Sequence, residues 1–179
     1  ADLAGVLQLL LRDSVSAARV SEPSNTFDAE SDTVLRGSKV LIVDDDIRNI
    51  FSMTSILEQN HMQVVHAENG RAGIEALRGD PSIELALIDI MMPDMDGYQT
   101  MQVIRQHDEL RDLPLIAVTA KAMAEDRQKC IEAGASDYVS KPVDIDLLLS
   151  MIRVRLLRRR LSLEPDLADW AESGERIGL

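Results

Sequence analysis

Between Lys39 and Arg160 the chain alternates five times between a short apolar run and an amphipathic segment. That alternation restricts the fold more than any other feature of the sequence. Lys39–Asp44, Met62–Ala67, Leu85–Asp89, Leu115–Thr119 and Tyr138–Ser140 read as buried strands. Ile47–Gln59, Arg71–Arg78, Tyr98–Gln106, Met123–Ala133 and Asp144–Arg160 read as helices, with Gly134 where a left-handed C-cap glycine belongs. Apolar strands joined by helices predict an α/β fold, a doubly wound parallel sheet covered on both faces. Right-handed crossovers leave few topologies, and the flavodoxin-like strand order 2-1-3-4-5 is the expected one. In that order the first and third strands are neighbours, and ligands bind beyond their carboxyl ends.

The flanks read differently. Residues 1–19 carry an apolar stripe (Leu3, Val6, Leu7, Leu10) and predict a helix, and residues 20–37 shift to linker composition. Residues 161–179 form a second appendage, in which Leu163, Leu167 and Trp170 line one side of a short helix opened by Pro165 or belong to a disordered tail. The expected organisation is therefore a segment and linker over 1–37, a domain over 38–160 and a tail over 161–179. A chain that opens on Ala is expected to be processed or cut from something longer.

The net charge of −12 argues against direct nucleic-acid binding, which wants a basic face. A single cysteine, Cys130, allows no disulfide within the chain, and His61, His66 and His107 are not at zinc-ligand spacing. No stretch approaches the roughly 18 apolar residues of a membrane span. Cytoplasmic location is expected, with any membrane anchor in a parent polypeptide. Arg153, Arg155, Arg158, Arg159 and Arg160 complement the dipole of the last helix beside acidic flanks.

Polar residues at strand ends carry the chemistry. The first strand ends in Asp44-Asp45-Asp46, the third in Asp89 and the fourth in Thr119; Lys141-Pro142 follows the fifth. The expected sheet order brings these ends to one edge. Clustered carboxylates repel unless a cation neutralises them, and Mg²⁺ takes hard oxygen ligands while keeping several waters. A phosphoryl group arriving at Asp89 would develop charge that Mg²⁺, the Lys141 ammonium and the Thr119 hydroxyl can stabilise, with the carboxylate as nucleophile. Asp46 reads as a helix N-cap and not as part of the cluster.

The runs LIVDDD and LIDIMMPDMDG, the VTA ending at Ala120, and DYVSKP resemble, in order and spacing, the response-regulator receiver family of two-component signalling. The resemblance spans roughly Gly37 to Arg160. It implies Asp89 as phosphoacceptor, Asp45 as direct Mg²⁺ ligand with Asp44 acting partly through water, and the Met91 backbone carbonyl completing the metal site. It further implies Thr119 as switch hydroxyl, Lys141 as phosphate-binding lysine, Tyr138 as aromatic switch residue and a cis Lys141-Pro142 bond. The partners implied are a histidine kinase or histidine phosphotransfer domain, with a homodimer as a further expectation. VLIVDDDIRNIFSMTSILE and the stretch from Lys121 to Leu156 resemble receivers fused to hybrid sensor histidine kinases; a stand-alone single-domain regulator is the alternative. The chain shows no glycine-rich ATP-binding boxes, so kinase activity would reside elsewhere in a parent. A haloacid-dehalogenase-type phosphatase wants a second Asp two residues after the nucleophile, where Met91 stands. A pseudo-receiver would lack one of the key side chains, and none is missing.

Overall fold

The computed structural model describes residues 33–120 and 124–163. Five parallel strands, β1 (Lys39–Val43), β2 (Gln63–Ala67), β3 (Leu85–Asp89), β4 (Leu115–Thr119) and β5 (Asp137–Ser140), form one sheet in the order β2-β1-β3-β4-β5. The helices between them are α1 (Ile47–Gln59), α2 (Gly70–Gly79), α3 (Gly97–Gln106), α4 (Ala124–Glu132) and α5 (Ile145–Leu163). A 3₁₀ turn, Asp108–Leu110, follows α3. The expected topology is the observed one, and apart from the carboxyl end of α5 the element ends move by a residue or two, the usual fraying of helix and strand termini.

The sheet is buried on both faces, so its central strands are apolar throughout. Every residue of β3 and β4 is buried. Alternate residues of each strand feed two separate cores. Leu41, Val43, Ile88 and Ala117 point to the face covered by Ile74 and Leu77 of α2, Met101 and Ile104 of α3 and Cys130 of α4. Val40, Ile42, Leu87 and Val118 point to the face covered by Ile50 and Leu57 of α1 and Leu148, Ile152 and Leu156 of α5. Cys130 is thus a packing residue.

Polar caps set where α1, α2, α3 and α5 start. Asp46 accepts a hydrogen bond from the Arg48 N–H, Asn69 from Ala72, Asp96 from Gln99 and Asp144 from Leu147. Gly134 adopts φ 100°, as a left-handed C-cap requires.

Two expectations change. Residues 33–35 are helical, and Leu35 is fully buried against the α1–α5 core, so linker composition does not extend to Gly37. The stretch is polar on average, but Leu35 enters the core and Val34 packs against it. Helix α5 runs on to Leu163, three residues past Arg160. The expected helix over 1–19 and the tail from 164 onward lie outside the described residues.

The arginines of α5 do more than complement its dipole. Arg155 donates to the Ser136 carbonyl and, at 3.1 Å, to Asp137. Arg159 donates to the Glu84 carbonyl at 3.0 Å, while Arg160 pairs with the Glu84 carboxylate at 3.1 Å and donates to Ser38 Oγ at 2.7 Å. Together they fasten the helix to the amino end of the sheet.

Candidate phosphorylation and metal site

At the opposite, carboxyl end, register decides which side chains meet. Val43 pairs with Ile88 across β1 and β3, so the residues that follow, Asp44 and Asp89, emerge side by side. Asp89 pairs with Val118, one residue short of Thr119, and Thr119 pairs with Ser140, one residue short of Lys141. Asp44, Asp45 and Asp89 each bring a carboxylate oxygen within 4.8 Å of the others. Asp44, Asp89 and Thr119 are buried, whereas Asp45 is exposed at the rim.

One cation serves the two buried acids. Lys141 Nζ lies 3.1 Å from Asp44 Oδ2 and 3.2 Å from Asp89 Oδ2. The other Asp89 oxygen, Oδ1, is buried and makes no hydrogen bond of normal geometry among the described residues, although the nearby Met91 N–H favours the charged carboxylate. Burial pushes the Asp89 carboxyl above its ordinary range; the Lys141 charge opposes this and Asp44 adds to it. Burial pulls Lys141 down, but the Asp89 and Asp44 charges outweigh it and hold the ammonium above its ordinary value.

Asp44 is held from several sides. Its Oδ1 accepts from the Asp46 N–H at 2.9 Å, and both oxygens accept from the Asn49 side-chain amide at 3.1 Å. Sequence reasoning passed over Asn49. The usable signal was its position: three residues beyond the Asp46 cap, a side chain in the first turn of α1 leans back toward the strand end. Asp46 itself caps α1 and ion-pairs with Arg48 at 2.6 Å, as its N-cap reading expects. The hydrogen bonds from Arg48 hold its carboxyl down at about 2.

The β3–α3 loop closes over the site because Gly97 lacks a side chain. A Cβ there would sit 2.3 Å from the Asp89 carbonyl oxygen. Met91, two residues past Asp89, has an exposed side chain. Tyr138 is half-buried against the core beneath α4, with the Arg127 guanidinium 5.6 Å from its ring centre. The Lys141-Pro142 bond is cis, as the resemblance implied. Two openings reach the acids. A cleft of about 620 Å³ runs from Asp45 past Asn69 and Asp94, and a groove of about 270 Å³ runs from Asp44 and Lys141 along α1 past Met53 to Val143.

This geometry coincides with a known family. The chain matches the response regulator receiver domain over residues 40–153, and it belongs to that family. It is 35% identical to the sensor histidine kinase GacS of Pseudomonas protegens over 141 residues, 76% of this chain but 15% of that protein. It is 36% identical to protein PilH of Pseudomonas aeruginosa over 119 residues, which are 66% of this chain and 98% of PilH. Among solved structures, the receiver domain of a signal transduction histidine kinase from Syntrophus aciditrophicus superimposes with TM-score 0.64 at 27% identity, covering 80% of this chain and 98% of that one. The receiver domain of a sensor histidine kinase from Pseudomonas aeruginosa, solved with magnesium coordinated in its active-site cleft, superimposes with TM-score 0.63 at 28% identity, covering 67% and 98%. Receiver domains of this family thus occur both within hybrid sensor kinases and as stand-alone proteins. No described helix is long and apolar enough to cross a membrane.

Proposed function

We propose that Asp89 accepts a phosphoryl group from a phosphohistidine with the help of Mg²⁺. The observation that carries this reading is the imbalance at the strand ends among the described residues: three convergent carboxylates facing one lysine, and a buried Asp89 oxygen that makes no hydrogen bond of normal geometry. The donor set is all hard oxygen and fits Mg²⁺: Asp44, Asp45 and Asp89 would hold the ion, with the Met91 carbonyl joining them as the resemblance implies. When bound, Mg²⁺ offsets the carboxylate repulsion and the charge on the transferring phosphoryl oxygens.

The chain's own residues do the rest. The Lys141 charge opposes the effect of burial on Asp89 and favours the carboxylate form that a nucleophile requires. As the donor N–P bond breaks, an Asp89 O–P bond forms and the imidazole leaves with the electron pair. The Lys141 ammonium and the Thr119 hydroxyl, at the ends of neighbouring strands, then hold phosphoryl oxygens. Movement of Thr119 toward that group would free room for the Tyr138 ring to turn inward, changing the surface shared by α4, β5 and α5.

Acetyl phosphate with Mg²⁺ should add one hydroxylamine-labile phosphoryl group to the wild type and none to Asp89→Asn. Equal labelling of the two, or labelling insensitive to EDTA, removes the assignment. Beryllofluoride should shift NMR resonances of Thr119, Tyr138 and α4; changes confined to Asp45 and Asp89 would discard the switch.

The donor is a histidine kinase or histidine phosphotransfer domain, and the chain is one receiver of a hybrid sensor kinase located in the cytoplasm. Its likeness to kinases of which it spans only a small part supports this. The match to nearly all of PilH supports the stand-alone alternative. A full reading frame that encodes a kinase core ahead of Ala1 decides for the first, and one that encodes the receiver alone decides for the second.

A further inference from the structure

Helix α5 has two apolar faces, and the receiver fold uses one. At about 100° per residue, Leu148, Ile152 and Leu156 share an arc of about 80°, and they are fully buried against the sheet. Leu147, Val154, Leu157 and Leu161 share an arc of about 80° on the diametrically opposite side, and they are exposed by 52%, 48%, 42% and 61%. With Ser150 between Leu147 and Val154, the outer positions recur at three, four, three and four residues. That is the spacing of a coiled-coil seam, on a face that a surface helix ordinarily keeps polar. Ser150 donates its hydroxyl back to the Asp146 carbonyl at 2.8 Å, so it brings no unmade hydrogen bond into a contact along this face.

Charge selects the occupant. Arg153 flanks the seam on one side and Arg158 on the other, and past Asp146 the helix carries no acidic residue. Arg155, Arg159 and Arg160 are taken up by Ser136, Asp137, Glu84 and Ser38 at the amino end of the sheet. Arg158 is exposed and makes no ion pair among the described residues. Two parallel copies joined by the seam would set Arg153 of one against Arg158 of the other. Two antiparallel copies would place Ser150 in two layers of the contact and the two Arg153 side chains against each other. A helix with apolar residues at the same spacing and carboxylates beside them meets both arginines with opposite charge and sets a full apolar side chain against Ser150.

We propose that the outer face of α5 is a docking seam for an acidic amphipathic helix of another polypeptide, which packs along Leu147, Val154, Leu157 and Leu161 and sets its carboxylates against Arg153 and Arg158. The inner face already holds α5 on the sheet, so only the incoming helix loses conformational freedom on docking. The seam is short, so the contact is reversible and needs its apolar and charged parts together. The inference makes no use of the acids at the carboxyl end of the sheet and stands independently of the phosphorylation reading.

The test uses the full chain and a fluorescein-labelled synthetic peptide of about three heptads, with Leu at the two seam positions of each heptad and Glu beside them; repulsion between the glutamates keeps the peptide from pairing with itself. A control peptide carries Lys in place of every Glu. In fluorescence anisotropy the acidic peptide should bind the wild type about tenfold more tightly than the basic one, and added salt should shrink the difference. Leu157→Asp and, separately, Val154→Asp replace exposed side chains, keep the circular dichroism of the wild type, and should each weaken the acidic peptide about tenfold through loss of an apolar layer. Arg158→Glu should weaken the acidic peptide and strengthen the basic one, a pair of opposite changes that damage to α5 does not produce. No binding of the acidic peptide, equal affinity for the two peptides, or binding that neither Leu157→Asp nor Val154→Asp weakens overturns the proposal. A dimer of the chain in sedimentation that Leu157→Asp dissolves assigns the seam to a second copy and overturns it equally.

Discussion

The two ends of the sheet are built from the same side-chain types and reach opposite electrostatic outcomes. At the amino end three acids each have a base of their own: Lys39 holds Asp80 at 2.9 Å, Arg155 holds Asp137 at 3.1 Å and Arg160 holds Glu84 at 3.1 Å. At the carboxyl end, among the described residues, Asp44, Asp45 and Asp89 converge where only Lys141 pairs with Asp44 and Asp89, and one Asp89 oxygen makes no hydrogen bond of normal geometry. Balanced pairs fasten helices and strands and leave nothing for a ligand to improve. An acid excess raises the free energy of the empty site, so a cation, or a phosphoryl group with its cation, gains the difference on binding.

The contrast can be broken by metal first. Mg²⁺ at 100 times its Kd should stabilise the wild type by about 2.7 kcal/mol in denaturant melts. Asp45→Asn should abolish most of that gain, and Glu84→Gln should leave it intact. Equal Mg²⁺ stabilisation of the wild type and Asp45→Asn would place the metal elsewhere.

Removing the shared lysine should cost next most. Lys141→Met leaves two buried carboxylates facing each other and should destabilise the metal-free protein by about 2 kcal/mol, below the usual cost for a buried pair because Lys141 is 27% exposed. Added Mg²⁺ should recover part of the loss. A metal-free melt unchanged from the wild type would show that Lys141 does not balance these acids.

At the amino end the effect should be smaller and metal-independent. Glu84→Gln weakens a half-exposed pair with Arg160 and should cost about 1 kcal/mol with or without Mg²⁺. A loss that Mg²⁺ reverses would mean that the two ends are coupled.

The smallest effect is in titration. The Ser82 and Lys39 hydrogen bonds hold Asp80 down at about 2, whereas burial holds Asp89 above the ordinary 3.8. A depressed carboxyl contributes stability that is present above its unfolded pKa and is lost as pH falls through about 2. A raised one contributes stability that is present below the unfolded pKa and lost as pH rises through the folded value. Carboxyl ¹³C shifts of the metal-free protein should therefore show Asp89 titrating at higher pH than Asp80; the reverse order would contradict the assigned burial.

Much of this was legible in the residues. Strand apolarity, helix periodicity and the polar residues closing each strand are local patterns, and register carries such positions to one edge whenever the strand order is 2-1-3-4-5. Asp46 as a cap and Gly134 as a left-handed terminator were readable for the same reason: both depend on a few consecutive residues.

Other features depended on distance along the chain. Asn49 stands at a readable position in the first turn of α1, but that its amide meets Asp44 depends on the angle at which α1 leaves β1. Arg160 reaches Glu84 across 76 residues, and no run of sequence distinguishes it from Arg158, which stays at the surface. Leu35 sits in polar-looking surroundings and is buried because α1 and α5 leave a space over β1 that it fills. The sequence by itself determined the order of elements and the chemical type of each strand end, because these follow from periodicity and composition over a few residues. The tertiary structure alone decided which charges share a partner and which have their own, because charge balance is set by distances between segments that only packing brings together.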